Sequence, residues 1–179
     1  MTKLLIMSLS DYMEILGERR TAGALSRYRS VSVSEPDEFL HSKAVMMEKK
    51  DLSRTYLARD MADGCIVGFF SLAVKCMSLD NCTMLSASMR RRMNVDERTG
   101  FVHLYMIGQL SRSSRLPPGS GALLLKEGLM ILAIAKRIVG CRVMGLDCRD
   151  ELVGYYEDRG FRLVYRSEDT GMNRMIGFV

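Results

Sequence analysis

The residues whose types and spacing most clearly suggest a chemical role lie in the stretch Tyr105–Arg137. There, a polar loop joins an apolar strand to a long apolar helix. This loop contains Pro117, Pro118, Gly119 and Gly121. The first amides of a helix have no acceptor inside the helix, and the helix dipole places partial positive charge there. Glycines let the backbone approach an anion closely. The loop is therefore a candidate phosphate cradle, and the alternative of an ordinary, proline-stiffened strand-to-helix connection stays open.

The five cysteines predict no metal site. None of them forms a C-x-x-C pair, their number is odd, and only His41 and His103 are available as imidazole ligands. This pattern argues against a zinc centre and against a disulfide framework. It indicates a reducing interior, so we expect a cytoplasmic protein.

Length and charge narrow the choice of partners. A chain of 179 residues predicts one domain over residues 1–179. The net charge of +5 and the pI of about 9.0 suit an anionic ligand such as a nucleotide cofactor, and weak contact with RNA equally.

The apolar run Leu4–Met7 is soon followed by Asp11, and Lys126 and Glu127 interrupt the most apolar helix. Neither a secretory signal nor a membrane span is therefore predicted.

The elements that must position the loop follow from hydrophobic periodicity, which predicts an α+β layout. Around Arg90–Arg92 the sequence allows a short helix beside a ligand or a solvated basic loop, and the loop is favoured. Strands are predicted at 3–8, 25–33, 53–59, 65–77, 101–110, 142–148, 161–166 and 175–179. Helices are predicted at 11–18, 34–50 and 150–159, and a long helix follows the loop within residues 115–139.

The C-terminal run GLDCRDELVGYYEDRGFRLV resembles the closing motif of the GNAT superfamily of acyl-CoA-dependent N-acetyltransferases. In that motif a strand leads to a helix that ends in an aromatic-Tyr pair, followed by Gly-Phe and another strand. The matching residues are Tyr155, Tyr156, Gly160 and Phe161. The helix and hairpin that begin at about Glu35 resemble bacterial members of the same group, so the resemblance covers most of the chain from there onward.

The loop and helix resemble the superfamily's pyrophosphate motif, Q/R-x-x-G-x-G/A. Gly119 and Gly121 match its two small positions, whereas Leu116 stands where Gln or Arg is expected and Arg115 lies one residue earlier. Arg149 stands where many members place an asparagine. A P-loop is not predicted because no Lys-Ser/Thr follows the glycines, and the G-x-G-x-x-G spacing of a Rossmann site is absent.

The resemblance implies a fold and a reaction. The fold is α+β, with a mixed, mostly antiparallel central sheet of six to seven strands flanked by helices. The reaction transfers an acetyl group from acetyl-CoA to a primary amine of an unidentified small molecule or protein. The general base is unassigned: His103 is a candidate, and a solvated strand residue is the favoured interpretation of it.

The resemblance also implies the site residues. Tyr156 is implied as the general acid that protonates the CoA thiolate, and Tyr155 as a packing residue. The loop amides would hold the pyrophosphate, with added charge from Arg112 and Arg115, and the end of the preceding strand would hold the pantetheine arm. The cofactor-binding residues so implied are Ile107, Gln109, Leu110, Arg112, Arg115, Leu116, Pro118, Gly119, Ser120, Gly121 and Ala122.

Two further functions stay open. A toxin-like acetyltransferase acting on aminoacyl-tRNA is motivated by the basic charge and by Arg90–Arg92. A non-catalytic CoA-binding or interaction protein is motivated by the departures at Leu116 and Arg149. The sequence also leaves a homodimer open.

Overall fold

The computed structural model describes residues 3–31, 35–79, 82 and 85–179. The strands are β1 (Leu4–Ser8), β2 (Arg54–Asp60), β3 (Ile66–Ser78), β4 (Phe101–Arg112), β5 (Val143–Cys148), β6 (Arg162–Arg166) and β7 (Asn173–Phe178). The helices are α1 (Leu9–Leu16), α2 (Glu18–Leu25), α3 (Glu35–Glu38), α4 (Ala44–Lys49), α5 (Ala87–Met93), α6 (Gly121–Val139) and α7 (Val153–Glu157).

The strands form one mixed sheet in the order β1-β2-β3-β4-β5-β7-β6. Strand β2 pairs antiparallel with β1 and β3, and β7 pairs antiparallel with β5 and β6. The parallel pair is β4 with β5. The predicted α+β class, with its mostly antiparallel sheet and flanking helices, is confirmed.

The chain divides into two compact units, one made of residues 1–73 and 108–130 and the other of residues 74–107 and 131–179. The first unit has a core in which α1, α2 and α4 supply apolar side chains to β2 and β3. Strand β3 is buried on both faces over residues 67–72, where it lies within this unit, and its residues 74–76 are exposed. The core residues are Leu9, Tyr12, Leu25, Tyr28, Leu40, Ala44, Leu57 and Phe69.

Glycines bring the start of α6 close to β3 within the first unit. A Cβ atom added at Gly68 would lie 2.8 Å from the Leu124 side chain and 3.1 Å from the Ser111 carbonyl oxygen. A Cβ added at Gly128 would lie 3.4 Å from the Phe70 ring. These close approaches fix the N-terminal turns of α6, and therefore the loop that precedes them.

The second unit contains the parallel pair of β4 with β5 and the antiparallel β7 and β6. Gly145 of β5 leaves room for Leu104, whose Cδ1 would lie 2.6 Å from an added Cβ. The Tyr105 hydroxyl donates to the Gly140 carbonyl oxygen at 2.6 Å, which ties β4 to the C-terminal end of α6. Phe161 and Met175 are fully buried there.

The strand predicted over residues 25–33 is wrong. Helix α2 runs to Leu25 and a turn follows it, while residues 32 and 33 of the prediction lie outside the described part of the chain. The alternation in RYRSVSV indicated a strand, but the buried side chains are Thr21, Leu25 and Tyr28. Their spacing of four and three residues is the helical period, and burial of that face decides the local structure.

The favoured solvated loop at Arg90–Arg92 is also wrong, because these residues belong to α5. Ser86 caps the helix by accepting from the Met89 amide at 3.2 Å, and Asn94 ends it in the left-handed region at φ 56°. Sequence reasoning missed both caps.

Two predicted helices are present with altered geometry. The helix predicted over residues 34–50 contains a π-helical segment, Phe39–Lys43, between α3 and α4, and its predicted start at Ser34 lies outside the described residues. The helix predicted over residues 150–159 begins as a 3₁₀ turn, Asp150–Leu152, and continues as α7.

Among the helices of residues 3–31, 35–79 and 85–179, none is long and apolar enough to cross a membrane.

Candidate functional site

In the first unit, the end of β4 offers backbone donors. The pairing of β4 with β5 covers Tyr105 to Ile107, and β4 runs on to Arg112. The Gln109 amide donates to the Ser71 hydroxyl at 2.9 Å. Because successive N–H groups of a strand point to opposite edges, the amides of Gly108 and Leu110 point away from Ser71.

Two anchors hold the loop that follows β4. The Leu116 side chain is buried, with 3% of its surface exposed, and its amide donates to the Ser113 carbonyl oxygen at 3.2 Å. The Arg112 guanidinium donates to the Leu116 carbonyl oxygen at 2.9 Å. Leucine at this position therefore fastens the loop to the core, where the superfamily motif has a polar residue.

The last loop residues turn the backbone into α6. Gly119 has φ +86°, a conformation that only glycine adopts without strain. The Ser120 amide donates to the Pro117 carbonyl oxygen at 3.2 Å, and the Ala122 amide donates to the Gly119 carbonyl oxygen at 3.0 Å. Within the described residues, the amides of Gly119 and Gly121 have no such acceptor. Two free N–H groups therefore stand at the positive end of a 19-residue helix.

Arg115 is bound to the β2–β3 hairpin. Its Nη2 lies 2.6 Å from an Asp63 carboxylate oxygen and 3.5 Å from an Asp60 carboxylate oxygen. A hydrogen bond from the Cys65 amide, reinforced by Arg115, lowers the pKa of the Asp63 carboxyl. The pKa of Arg115 is raised in turn, chiefly by Asp63. This guanidinium thus fixes the start of the loop, and its charge is balanced where it lies.

In the second unit, a C-terminal helix cap positions Tyr156. The Phe161 amide donates to the Tyr156 carbonyl oxygen at 3.1 Å, and the Gly160 amide donates to the Glu157 carbonyl oxygen at 3.0 Å. Gly160 has φ +85°. This pair of bonds is the Schellman motif, and the rings of Tyr156 and Phe161, 5.7 Å apart, make the apolar contact that accompanies it. The spacing Tyr-x-x-x-Gly-Phe is therefore the spacing of a helix cap.

Partial burial moves the pKa of the Tyr156 phenol further above neutral pH. Loss of solvent raises its pKa to about 12, and Tyr155 adds a smaller contribution in the same direction. Among the described residues, no hydrogen-bond partner lies at its hydroxyl. Tyr156 is thus a neutral donor with an unused proton at neutral pH.

Tyr155 is held differently. Its ring packs edge-on against Tyr156 at 5.1 Å, and the Arg159 guanidinium lies over it at 3.6 Å. Arg159 also donates to the Tyr155 carbonyl oxygen at 2.7 Å. These contacts fit the packing role predicted for Tyr155.

The remaining predicted residues take less specific positions. His103 lies exposed on β4, and Arg149 is exposed before α7. The Arg90 guanidinium donates to the Leu79 carbonyl oxygen at 3.1 Å, and Arg92 lies over the Phe178 ring at 3.9 Å. Two of the three arginines of α5 are therefore engaged inside their own unit.

Sequence reasoning missed Ser71, Asp60 and Asp63. Ser71 had one signal, since it is a lone hydroxyl in the apolar run CIVGFFSLAVKCM, and it is 3% exposed. A buried hydroxyl needs a hydrogen-bond partner, and this one receives the Gln109 amide. The pairing of Asp63 with Arg115 had no local signal, because 52 residues separate the two.

Solved structures of other proteins share the fold of this chain. No family model matches the chain, and no curated protein matches it. AtaT complexed with acetyl-methionyl-tRNAfMet superposes with a TM-score of 0.73 at 16% identity, covering 99% of this chain and 94% of that one. AtaTR bound with AcCoA gives 0.67 at 17% identity, covering 96% and 91%. A tyrosine-to-phenylalanine mutant of KacT gives 0.72 at 12% identity, covering 96% and 94%. The chain has the GNAT fold of these proteins.

Proposed function

We propose that this protein is an N-acetyltransferase that transfers an acetyl group from acetyl-CoA to a primary amine. The observation that carries the proposal is the Tyr156 phenol, which is protonated, capped into place and without a partner at its hydroxyl among the described residues. A group of this kind suits proton donation to a leaving thiolate.

The first unit supplies the groups that would hold the cofactor. The free amides of Gly119 and Gly121 suit the pyrophosphate, because they donate at the positive end of α6. The amides of Gly108 and Leu110 suit the amide-containing pantetheine arm. Arg112 keeps guanidinium nitrogens beyond the one bonded to Leu116, whereas Arg115 acts by fixing the loop.

In the proposed reaction, the nitrogen lone pair of a neutral amine attacks the thioester carbon. A C–N bond forms, the C–S bond breaks, and the sulfur leaves with the electron pair. The Tyr156 hydroxyl donates its proton to that sulfur, and the phenolate is reprotonated from solvent after release of CoA. A proton leaves the amine nitrogen to solvent or to an unassigned base. Burial that raises the pKa of the phenol also raises that of a thiol beside it, which favours transfer as the C–S bond breaks.

Two structurally similar proteins support acetyl-CoA as the cofactor and an aminoacyl-tRNA as the acceptor. AtaTR has been solved with AcCoA, and AtaT with acetyl-methionyl-tRNAfMet. The second complex, together with the net charge of +5, favours aminoacyl-tRNA over a small amine as the acceptor. The amine of an aminoacyl group is a primary amine, so the chemistry is unchanged.

We further propose that the protein acts in the cytoplasm as one functional domain. Cys65, Cys76, Cys141 and Cys148 are free thiols, which suits a reducing compartment. Strands β3 and β4 and helix α6 each supply residues to both compact units, which supports a single functional domain.

The test is release of CoA from acetyl-CoA, measured by chromatography, over a panel of small amines, peptides and aminoacyl-tRNA. We expect release with at least one acceptor. In the Tyr156→Phe variant, kcat should fall at least about tenfold while the Kd for acetyl-CoA stays within about twofold, because only proton donation is removed. Tyr155→Phe is the matched control and should keep wild-type turnover. Wild-type turnover in Tyr156→Phe would overturn the acid assignment, and binding without release for any acceptor would favour a non-catalytic CoA-binding protein.

A further inference from the structure

A cavity in the first unit lies outside the loop and the β4 edge assigned to the cofactor. Its volume is about 420 Å³, within the range of about 300–1,000 Å³ usual for ligand pockets. Helices α1 and α2 form one wall, the β2–β3 hairpin forms another, and Ser113–Arg115 close it. Buried Tyr12 and Tyr28 contribute to the lining.

The charge of this cavity is positive. Its lining holds Arg27, Arg29 and Arg115 against one carboxylate, Asp63, so three positive charges meet one negative charge and leave +2. Arg115 and Asp63 pair with each other. The surplus therefore resides on Arg27 and Arg29, and the lining attracts anions and repels cationic amines.

The two surplus arginines are available for a ligand. Arg29 Nη1 donates to the carbonyl oxygens of Ser26 and Tyr28, each at 2.6 Å, and lies 3.3 Å from His41 Nε2, contacts that fix the side chain without a carboxylate. Within residues 3–31, 35–79, 82 and 85–179, no carboxylate pairs with Arg27. Ser114 adds an exposed hydroxyl at the rim.

The positive charge continues along α2. Helical hydrogen bonding extends past α2, since the Arg27 amide donates to the Ala24 carbonyl oxygen at 3.3 Å. Arg20 precedes Arg27 by seven residues, or two helical turns, so both lie on one face about 10 Å apart. Along one strand of double-stranded DNA the charges lie about 3.4 Å apart on the helix axis, so Arg20 and Arg27 are far enough apart to contact different phosphates of one nucleic-acid strand. One cofactor phosphate in the cavity would not reach Arg20.

We propose that this cavity and the Arg20–Arg27 face of α2 bind the phosphate backbone of an RNA acceptor. The inference rests on the proposed acetyltransferase function and assigns the surface that its RNA acceptor would contact. It assigns the RNA contact to the α2 region rather than to α5, because Arg27 and Arg29 line this cavity together. Planar guanidinium groups suit phosphate oxygens, with which they form paired hydrogen bonds.

The experiment measures binding of deacylated bulk tRNA by fluorescence anisotropy between 50 and 200 mM salt, with thermal melts to verify folding. Arg20→Gln and Arg27→Gln should each weaken binding at least about fivefold and lower the slope of log K against log salt by about one. The Kd for acetyl-CoA should stay within about twofold. Arg91→Gln, an exposed arginine of α5, is the matched control and should change neither quantity.

Four outcomes would overturn the inference. Weaker acetyl-CoA binding with unchanged tRNA binding in Arg27→Gln would assign the cavity to the cofactor. Equal losses in Arg91→Gln and Arg27→Gln would show attraction by net charge alone, and no loss in either α2 variant would mean that tRNA binds elsewhere. Polyglutamate that competes as well as tRNA would indicate an acidic protein partner. The binding measurement needs no turnover, so it decides on the cavity even if the acetyl-transfer assay fails.

Discussion

The loop between β4 and α6 and the turn between α7 and β6 share one backbone feature but differ in what it positions. Each turns on a glycine in the left-handed region, Gly119 at φ +86° and Gly160 at φ +85°, with nothing within 4 Å of an added Cβ. In the loop, the backbone itself is the proposed ligand contact, through the free amides of Gly119 and Gly121. In the turn, the backbone serves one side chain, because the Schellman cap holds the Tyr156 ring against Phe161.

This difference predicts which substitutions should alter binding and which should alter turnover. In the loop, side chains are mostly exposed and Leu116 is the buried anchor, so the path of the main chain decides binding. In the turn, the proposed chemistry depends on one phenol, that of Tyr156. Loop variants should therefore change affinity for acetyl-CoA, and turn variants should change turnover.

The largest effect should come from Gly121→Glu. If the amides of Gly119 and Gly121 bind the pyrophosphate as proposed, a carboxylate beside them brings like charges together, which costs several kcal/mol, or at least about a hundredfold in affinity. Binding of acetyl-CoA measured by calorimetry should be lost while the far-ultraviolet circular dichroism is kept.

Gly121→Ala is the control for this substitution. An added Cβ there lies 3.8 Å from Leu110, an ordinary contact, so affinity should stay near that of the wild type. Wild-type affinity in Gly121→Glu would show that the loop is only a turn.

A smaller effect is expected for the paired variants Gly119→Ala and Gly160→Ala. Both force a Cβ into the left-handed region at about 1–2 kcal/mol, and both should lower the melting temperature. Gly119→Ala should raise the Kd for acetyl-CoA, whereas Gly160→Ala should leave that Kd unchanged and lower kcat.

Gly154→Ala in α7 is the reference for both variants. It has no positive φ and nothing within 4 Å, so alanine there should stabilise the protein by about 0.5–1 kcal/mol. If Gly119→Ala and Gly160→Ala had the same kinetic signature, the two regions would not differ as described.

The smallest effect concerns pH. The pKa of Tyr156, raised to about 12 by burial, keeps the acid protonated well past neutrality. The ratio of wild-type kcat to Tyr156→Phe kcat should therefore stay constant between about pH 7 and 10, close to the reference pKa of an exposed tyrosine. Parallel pH–rate profiles of the two proteins measure this ratio. A ratio that declines above about pH 8 would mean that the phenol ionises early and is not the buried donor.

The same pKa shift predicts how stability changes with pH. Because the folded protein holds the Tyr156 proton more tightly than the unfolded chain does, this contribution is complete below about pH 10 and falls as pH rises from there toward 12. Tyr28 acts in the same direction, since burial raises its pKa as well. Neither tyrosine makes the free energy of unfolding depend on pH near neutrality.

The sequence predicted most strands and the order of elements, because their signals are local. Apolar β3, the glycine loop before α6 and the Gly160–Phe161 cap each depend on residues within a few positions of one another. The strand at residues 25–33 failed because alternation over a few residues competes with a helical face whose burial partners lie elsewhere in the chain.

By itself, the sequence determined where the positive-φ glycines fall and which tyrosine precedes a helix cap, since those bonds close within five residues. Only the tertiary structure decided which polar groups stay free. Arg115 pairs with Asp63 across 52 residues, Gln109 with Ser71 across 38, and the Tyr28 and Ser111 hydroxyls bond across 83. Such pairs depend on distant segments meeting in the folded chain, so no spacing announces them. They leave Arg27 and the amides of Gly119 and Gly121 available to a ligand.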